Sequence, residues 1–247
     1  MNKTLKKVLK TILIILLVLV AAVILFIGYL TITEYKPKDT EPLDIDGSSS
    51  ETLAAGDDFT IMTWNMGYAG LGENADFFMD GGEHVRSCTE SQVNNNIDAV
   101  VAQIQKEDAD VVFLQEVDRD SKRSYGIDEL EKITSSLDGY NSTFARNYKV
   151  AYVPYPLVSE DMWTPGVIDV DEFGDNLTFV TDNSTPSCRS LDRPLAGNDS
   201  DPSVFQYYMI DGFIVSDNLT INTVETRDLG FKNSDHNPIV MNVTVTK

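Results

Sequence analysis

The 247-residue chain has few of the residues that build metal clusters and cross-linked scaffolds. It holds two cysteines, Cys88 and Cys188, and two histidines, His84 and His236. Two thiols exclude a Cys-rich zinc site and a dense disulfide framework. Two imidazoles leave little room for chemistry that needs several. Basic residues are also scarce, with 19 Lys and Arg against 39 Asp and Glu, a net charge of −20. Lys3, Lys6, Lys7 and Lys10 precede residue 33 and no acidic residue does, so the remainder carries 15 basic against 39 acidic groups, a net −24. A surface that negative offers no counterion-release footprint and disfavours extended nucleic acid as a partner. No Gly-x-Ser-x-Gly elbow occurs, which removes the serine-hydrolase reading. Apolar residues are not lacking: at 42% they suffice for a core and exclude a wholly disordered chain.

One run is more apolar than a soluble core needs. Thr11 to Thr33 is uncharged and rich in Leu, Ile and Val. As a helix it spans the roughly 30 Å hydrocarbon core of a bilayer. Ala21-Ala22 lies mid-run, unlike a signal-peptide cleavage site after a short apolar region. Residues 1–33 are therefore expected to be a cytoplasmic tip and transmembrane signal anchor. The lysines before the span place the N-terminus in the cytoplasm and the C-terminal domain outside the cell membrane. Residues 34–58 hold Pro37, Pro42, a serine run and scattered acids without apolar periodicity, as a flexible stalk would.

Beyond residue 58 the pattern alternates. Phe59, Ile61 and Thr63 interleave with Thr60, Met62 and Trp64, predicting a strand that ends at Asn65. Glycines punctuate the loop that follows. Either Ser87 with Glu90 or Thr89 with Gln92 has capping-box spacing, and Val93, Ile97, Val100, Val101 and Ile104 continue at helical spacing. Val111 to Leu114 predicts a buried strand, and Ile127, Leu130, Ile133 and Leu137 a second helix. Residues 163–201 read mostly as loop. Strands are then expected over Val204–Ile210, Gly212–Ser216, Leu219–Val224 and Pro238–Val245. The order argues for an α/β chain with sheets covered by helices.

Asn65, Glu116, Asp211 and the Asp235-His236 pair all fall at strand ends or in turns between strands, where open α/β sheets place ligand sites. Two carboxylates and an amide suit a hard cation, and a histidine with its own carboxylate suits proton transfer at a phosphorus centre. Satisfied turn and cap groups are the commoner fate of such residues. Four segments sharpen the choice: Thr63-Trp64-Asn65-Met66, Leu114-Gln115-Glu116-Val117-Asp118, Ile210-Asp211-Gly212-Phe213 and Ser234-Asp235-His236-Asn237-Pro238. In this order they resemble the motifs of the endonuclease/exonuclease/phosphatase superfamily.

That resemblance implies a four-layer sandwich of two mixed β-sheets flanked by helices over residues 59–247, and a divalent-metal-dependent phosphoester hydrolase of phosphodiesterase, phosphatase or nuclease type. It implies Mg²⁺, with Mn²⁺ as an alternative, held by Glu116 and Asp235. His236, Asp211 and Asn65 are the implied catalytic group, with Asp211 orienting the imidazole. Together with the anchor and the acidic surface, the resemblance favours a small or lipid-borne phosphoester substrate.

The family pattern also contains Asn-Thr-His and Gly-Asp-x-Asn motifs, and neither occurs. Gly174-Asp175-Asn176 lacks the intervening residue. Motif order puts a missing segment near residues 157–162, so the sandwich is expected to be incomplete and turnover to be weak or lost. The alternative is a catalytically inactive extracellular binding or structural module of the same fold. Arg123, Tyr125 and Arg189 are candidate substrate contacts, with a solvated loop the alternative for the first two. Cys88 and Cys188 are either bridged or free.

Overall fold

The computed structural model describes residues 2–146, 149–152, 174, 176–198 and 201–246. The expected gap near 157–162, the Val153–Pro156 stretch and Asp175 lie outside them. In chain order the elements are α1 (Lys3–Thr33), β1 (Ile45–Asp46), β2 (Asp58–Asn65), α2 (Glu90–Glu107), β3 (Val111–Gln115), α3 (Glu129–Thr134), β4 (Ser142–Thr143), β5 (Leu177–Val180), β6 (Cys188–Arg189), β7 (Tyr207–Tyr208), β8 (Phe213–Ser216), β9 (Leu219–Thr226) and β10 (Ile239–Val245). The chain is a mixed α/β protein with several sheets and few helices. It divides into two units, one carrying α1 and β1 and one beginning at Gly47 that holds the four-stranded sheet, the β5–β8 and β6–β7 pairs, α2 and α3.

In the first unit α1 is one uninterrupted 31-residue helix, capped where the Asn2 side chain accepts the Thr4 N–H. It is long and apolar enough to cross a membrane, since at 1.5 Å per residue it measures about 46 Å.

In the second unit the central sheet runs β3-β2-β10-β9. β2 and β3 are parallel, with Asn65 opposite Gln115, while β10 is antiparallel to both β2 and β9, with Ile239 opposite Thr63. This topology matters for the site: the C-terminal ends of β2 and β3 and the N-terminal entry to β10 lie at one end of the sheet.

Period-two alternation decides what each face buries. On one face Met62, Trp64 and Val240 pack under Val93, Ile97, Val100 and Ile104 of α2. Thr89 provides the capping box for that helix with Gln92, so of the two expected boxes the second forms. On the other face Phe59, Ile61, Ile239, Met241 and Val243 pack against Phe213 and Val215 of β8. Each such side chain contributes about 1.5–3 kcal/mol on burial, so a sheet covered on both faces is the main source of stability.

Several local expectations need correction. The segment Val111–Leu114 is not a fully buried strand: among the described residues β3 has no neighbour beyond β2, and Phe113 is 53% exposed. Within the stretch read as loop, β5 and β6 form because β5 pairs with β8 and β6 with β7. The strand expected over Val204–Ile210 shrinks to Tyr207–Tyr208, because the Ile210 and Asp211 N–H groups turn to the Ser187 hydroxyl. The second helix keeps only Glu129–Thr134, started by Asp128 accepting the Glu131 N–H. The outer face of the β5–β8 pair exposes Phe179 and Ile214, which sit directly opposite one another.

Candidate active site

The site grows from the end of the sheet where β2 and β3 stop. Met66 N–H donates to the Gln115 carbonyl and Tyr68 N–H to the Glu116 carbonyl, so the parallel pairing continues one step past the strands. Glu116 itself adopts a left-handed backbone, φ 54°, a conformation that costs a non-glycine residue roughly 1–2 kcal/mol. Its carboxylate oxygen Oε1 accepts the Asn65 amide at 3.2 Å, while the Asn65 Oδ1 accepts the Gly67 N–H at 2.9 Å. Asn65 is thereby committed to orienting Glu116.

Gly67, Tyr68 and Ala69 then make a left-handed turn, with φ of 52°, 43° and 48°. Glycine is required at its first position on two grounds. Its φ disfavours a side chain, and a Cβ would lie 2.8 Å from Asp235 Oδ1 and 2.9 Å from Leu71 Cβ. The turn tucks Tyr68, which is buried, beneath the Arg123 guanidinium, 3.7 Å from its ring centre. Strain of this kind concentrates at functional sites.

The Ser234–Asn237 loop leads into β10. The Ser234 hydroxyl donates to the Asn65 carbonyl at 2.8 Å and accepts the His236 N–H at 3.1 Å. The Trp64 indole donates to the His236 carbonyl at 2.9 Å. A short antiparallel bridge ties Cys188 to His236, flanked by Arg189 N–H to the Asp235 carbonyl and Asn237 N–H to the Ser187 carbonyl. Asp211, in the turn before β8, has its N–H on Ser187 Oγ and its carbonyl on the Thr181 hydroxyl. So held, its Oδ2 lies 2.7 Å from His236 Nδ1, while His236 Nε2 lies 3.9 Å from Asp235 Oδ2.

The electrostatics follow from this crowding. Burial, and then the charge of Glu116, push the Asp235 carboxyl up to about 6, against the pull of His236. Burial alone lowers the His236 imidazole, but the bond to Asp211, the contact with the Cys188 thiol and the charge of Asp235 outweigh it and carry the ring up to about 11. Burial raises Tyr68 and Asp80; Arg123 opposes the Tyr68 shift, whereas the Glu116 carboxylate adds to both. The Glu116 carboxylate therefore lies near enough to Asp235 to disfavour its charge.

A model of the endonuclease/exonuclease/phosphatase family matches residues 62–236, more than half of the chain. The chain belongs to that family. No curated protein and no solved structure matches it significantly. The family is generally dependent on a divalent metal, and the residues present fit one. Glu116 and Asp235 give an oxygen-only pair of carboxylates suited to a hard dication. Their mutual repulsion is what a dication relieves, and the absent Gly67 side chain leaves the space beside Asp235 open.

Of the other residues that sequence singled out, Arg123 pairs with Asp118 at 2.9 Å while stacking on Tyr68, and Tyr125 donates to the Cys88 carbonyl. Arg189 is buried, with its terminal nitrogens on the Ser190, Gly72 and Ala75 carbonyls, so it braces the glycine loop and is not presented to solvent. Both cysteines are free and buried. His84 bonds to Asp76 at 2.6 Å, apart from the Asp211–His236 pair. Sequence reasoning missed Tyr68, Ser234 and the placement of Cys188 against His236. The signal for Tyr68 was its position three residues after Asn65 between two glycines. Cys188 carried no local signal, because its contact spans 48 residues of chain.

Proposed function

We propose that the chain is a single-pass, membrane-tethered, divalent-metal-dependent phosphoester hydrolase acting on a small or lipid-borne phosphoester. The observation that supports it most is the meeting, at one end of the sheet, of the Asn65–Glu116 pair with Asp235 and the Asp211–His236 pair. Glu116 and Asp235 would hold Mg²⁺, with Mn²⁺ as an alternative. When bound, the ion supplies positive charge to the phosphate oxygens.

The chain's own residues do the rest. Asp211 fixes the Nδ1 edge of His236, and Nε2 is the ring atom that faces the scissile phosphate and exchanges a proton with the attacking or departing oxygen. Asn65 keeps the Glu116 carboxylate aimed, and Ser234 ties the Asn65 and His236 backbones together. Lys3, Lys6, Lys7 and Lys10, in the first turns of α1 ahead of its uncharged run, support an extracellular orientation of the domain, and its acidity disfavours long nucleic acid.

The missing Asn-Thr-His and Gly-Asp-x-Asn motifs favour a second reading, an inactive binding module of the same fold. Each lost transition-state donor lowers rate by about 10²–10³. Hydrolysis of a chromogenic phosphodiester by the full chain in detergent separates the two. Activity that needs Mg²⁺ and falls in His236→Ala supports the hydrolase. Mg²⁺-dependent phosphate binding with no turnover supports the module, and activity indifferent to His236→Ala overturns the role given to that residue.

A further inference from the structure

We propose that Cys188, Asp235 and His236 form a binding site for a thiophilic dication such as Zn²⁺, distinct in donor chemistry from the carboxylate pair that suits Mg²⁺. The three residues offer ligand atoms that lie within 4.8 Å of one another. Sulfur, imidazole nitrogen and carboxylate oxygen together are a zinc donor set, and magnesium has no use for the sulfur.

The placement is built into the backbone. Cys188 and His236 are bridge partners, and the Arg189 N–H on the Asp235 carbonyl locks the third donor's residue into the same pairing. Asp211 occupies His236 Nδ1 at 2.7 Å and leaves Nε2 facing Asp235 Oδ2 at 3.9 Å. A carboxylate behind the imidazole is the arrangement that orients a metal-bound histidine and raises its basicity. Cys188 is free, and Cys88 takes no part in the cluster. Three protein donors leave a fourth tetrahedral position for water.

Binding needs a thiolate, a neutral Nε2 and a carboxylate, so the thiol proton and any proton on Nε2 pass to solvent and nothing is oxidised or reduced. Because the site takes Asp235 and His236 away from a phosphoester, its occupation switches that chemistry off. Zn²⁺ thus acts as an off-signal read through Cys188.

The full chain in detergent, titrated with Co²⁺ as the probe, tests this without any turnover. A thiolate-to-cobalt charge-transfer band should grow to one ion per chain, persist in Cys88→Ser and vanish in Cys188→Ser. Equimolar Zn²⁺ should bleach it, whereas Mg²⁺, which competes only through the shared Asp235, should need a far larger excess. Asp211→Asn should weaken Co²⁺ binding by about 10–100-fold. Should Cys188→Ser fail to fold, the Zn²⁺ against Mg²⁺ competition in the wild-type chain carries the result. Absence of the band in the folded wild-type chain, its loss in a folded Cys88→Ser, or equal bleaching by Mg²⁺ overturns the proposal. The absorption readout is independent of hydrolysis, so a chain without phosphoesterase activity and a chain without the soft-cation site are told apart.

Discussion

The Asn65 side chain donates to Glu116 at 3.2 Å while its main-chain carbonyl accepts the Ser234 hydroxyl at 2.8 Å. One residue at the end of β2 thus couples the carboxylate that follows β3 to the loop that enters β10. The consequence is that residues far apart in sequence, Glu116 and His236, share one end of one sheet, and that the coupling can be tested residue by residue.

Ser234→Ala removes the donor to the Asn65 carbonyl and the acceptor of the His236 N–H. Two hydrogen bonds in a largely buried setting set the scale at about 1–3 kcal/mol of unfolding free energy. Thermal or chemical denaturation of wild-type and variant chains in the same detergent should show the loss, together with weaker Mg²⁺ binding. A variant equal to wild type in both would mean that the hydroxyl does not couple the strands.

Gly67→Ala places a methyl 2.8 Å from Asp235 Oδ1 at a residue whose φ is 52°. The expected outcome is a destabilisation of about 1–2 kcal/mol from the left-handed backbone, with Mg²⁺ affinity falling as Asp235 is displaced. Calorimetric titration of Mg²⁺ into the folded variant checks the second part.

His236→Ala and Asp211→Asn address the imidazole and its orienting partner separately. Loss of a general acid or base costs about 10²–10⁴ in rate, and that is the fall expected for His236→Ala in phosphodiester hydrolysis. Asp211→Asn should retain phosphate affinity while lowering kcat and changing the pH profile, because it touches only the far edge of the ring.

Glu129 supplies a pH prediction away from the site. It is fully buried, its Oε2 accepts the Asp118 N–H, and its Oε1 has no partner. Burial raises its carboxyl to about 8, against about 4.3 in an unfolded chain. The folded state holds the proton more tightly, so this group's contribution to stability is fully present below pH 4.3, declines as pH rises and is lost above 8. Glu129→Gln should flatten that decline, at most about 1.4 kcal/mol per pH unit, leaving the variant more stable than wild type at pH 9. Melting curves at pH 5 and pH 9 decide it.

Much of this architecture was legible in the sequence because local pattern and tertiary burial agree. The alternation through Phe59–Trp64 and the 3.6-residue spacing from Val93 to Ile104 each match the face that becomes buried. Pro238 and the alternate apolar residues after it likewise read correctly as the entry to β10. Failures came where long-range contacts override the local signal. Val111–Leu114 is apolar enough for a central strand, yet β3 has β2 as its sole neighbour among the described residues. Ile210 continues an apolar run, but the Ser187 hydroxyl takes its N–H and ends the strand. Five site residues, Asn65, Glu116, Asp211, Asp235 and His236, lie in four motifs of specific order, whereas Cys188 and Tyr68 reach the site through a cross-strand bridge and a left-handed turn that no short window of sequence encodes.

The central claim is that Glu116 and His236 serve one cation site. With only two histidines in the chain, ¹³C-histidine labelling and Mn²⁺ provide the most direct measurement, since the paramagnetic ion broadens ring signals near it. Mn²⁺ should broaden the His236 signal in the wild-type chain at a concentration that leaves it sharp in Glu116→Gln. A His236 signal unaffected by Mn²⁺, or broadened equally in both chains, would contradict a shared site.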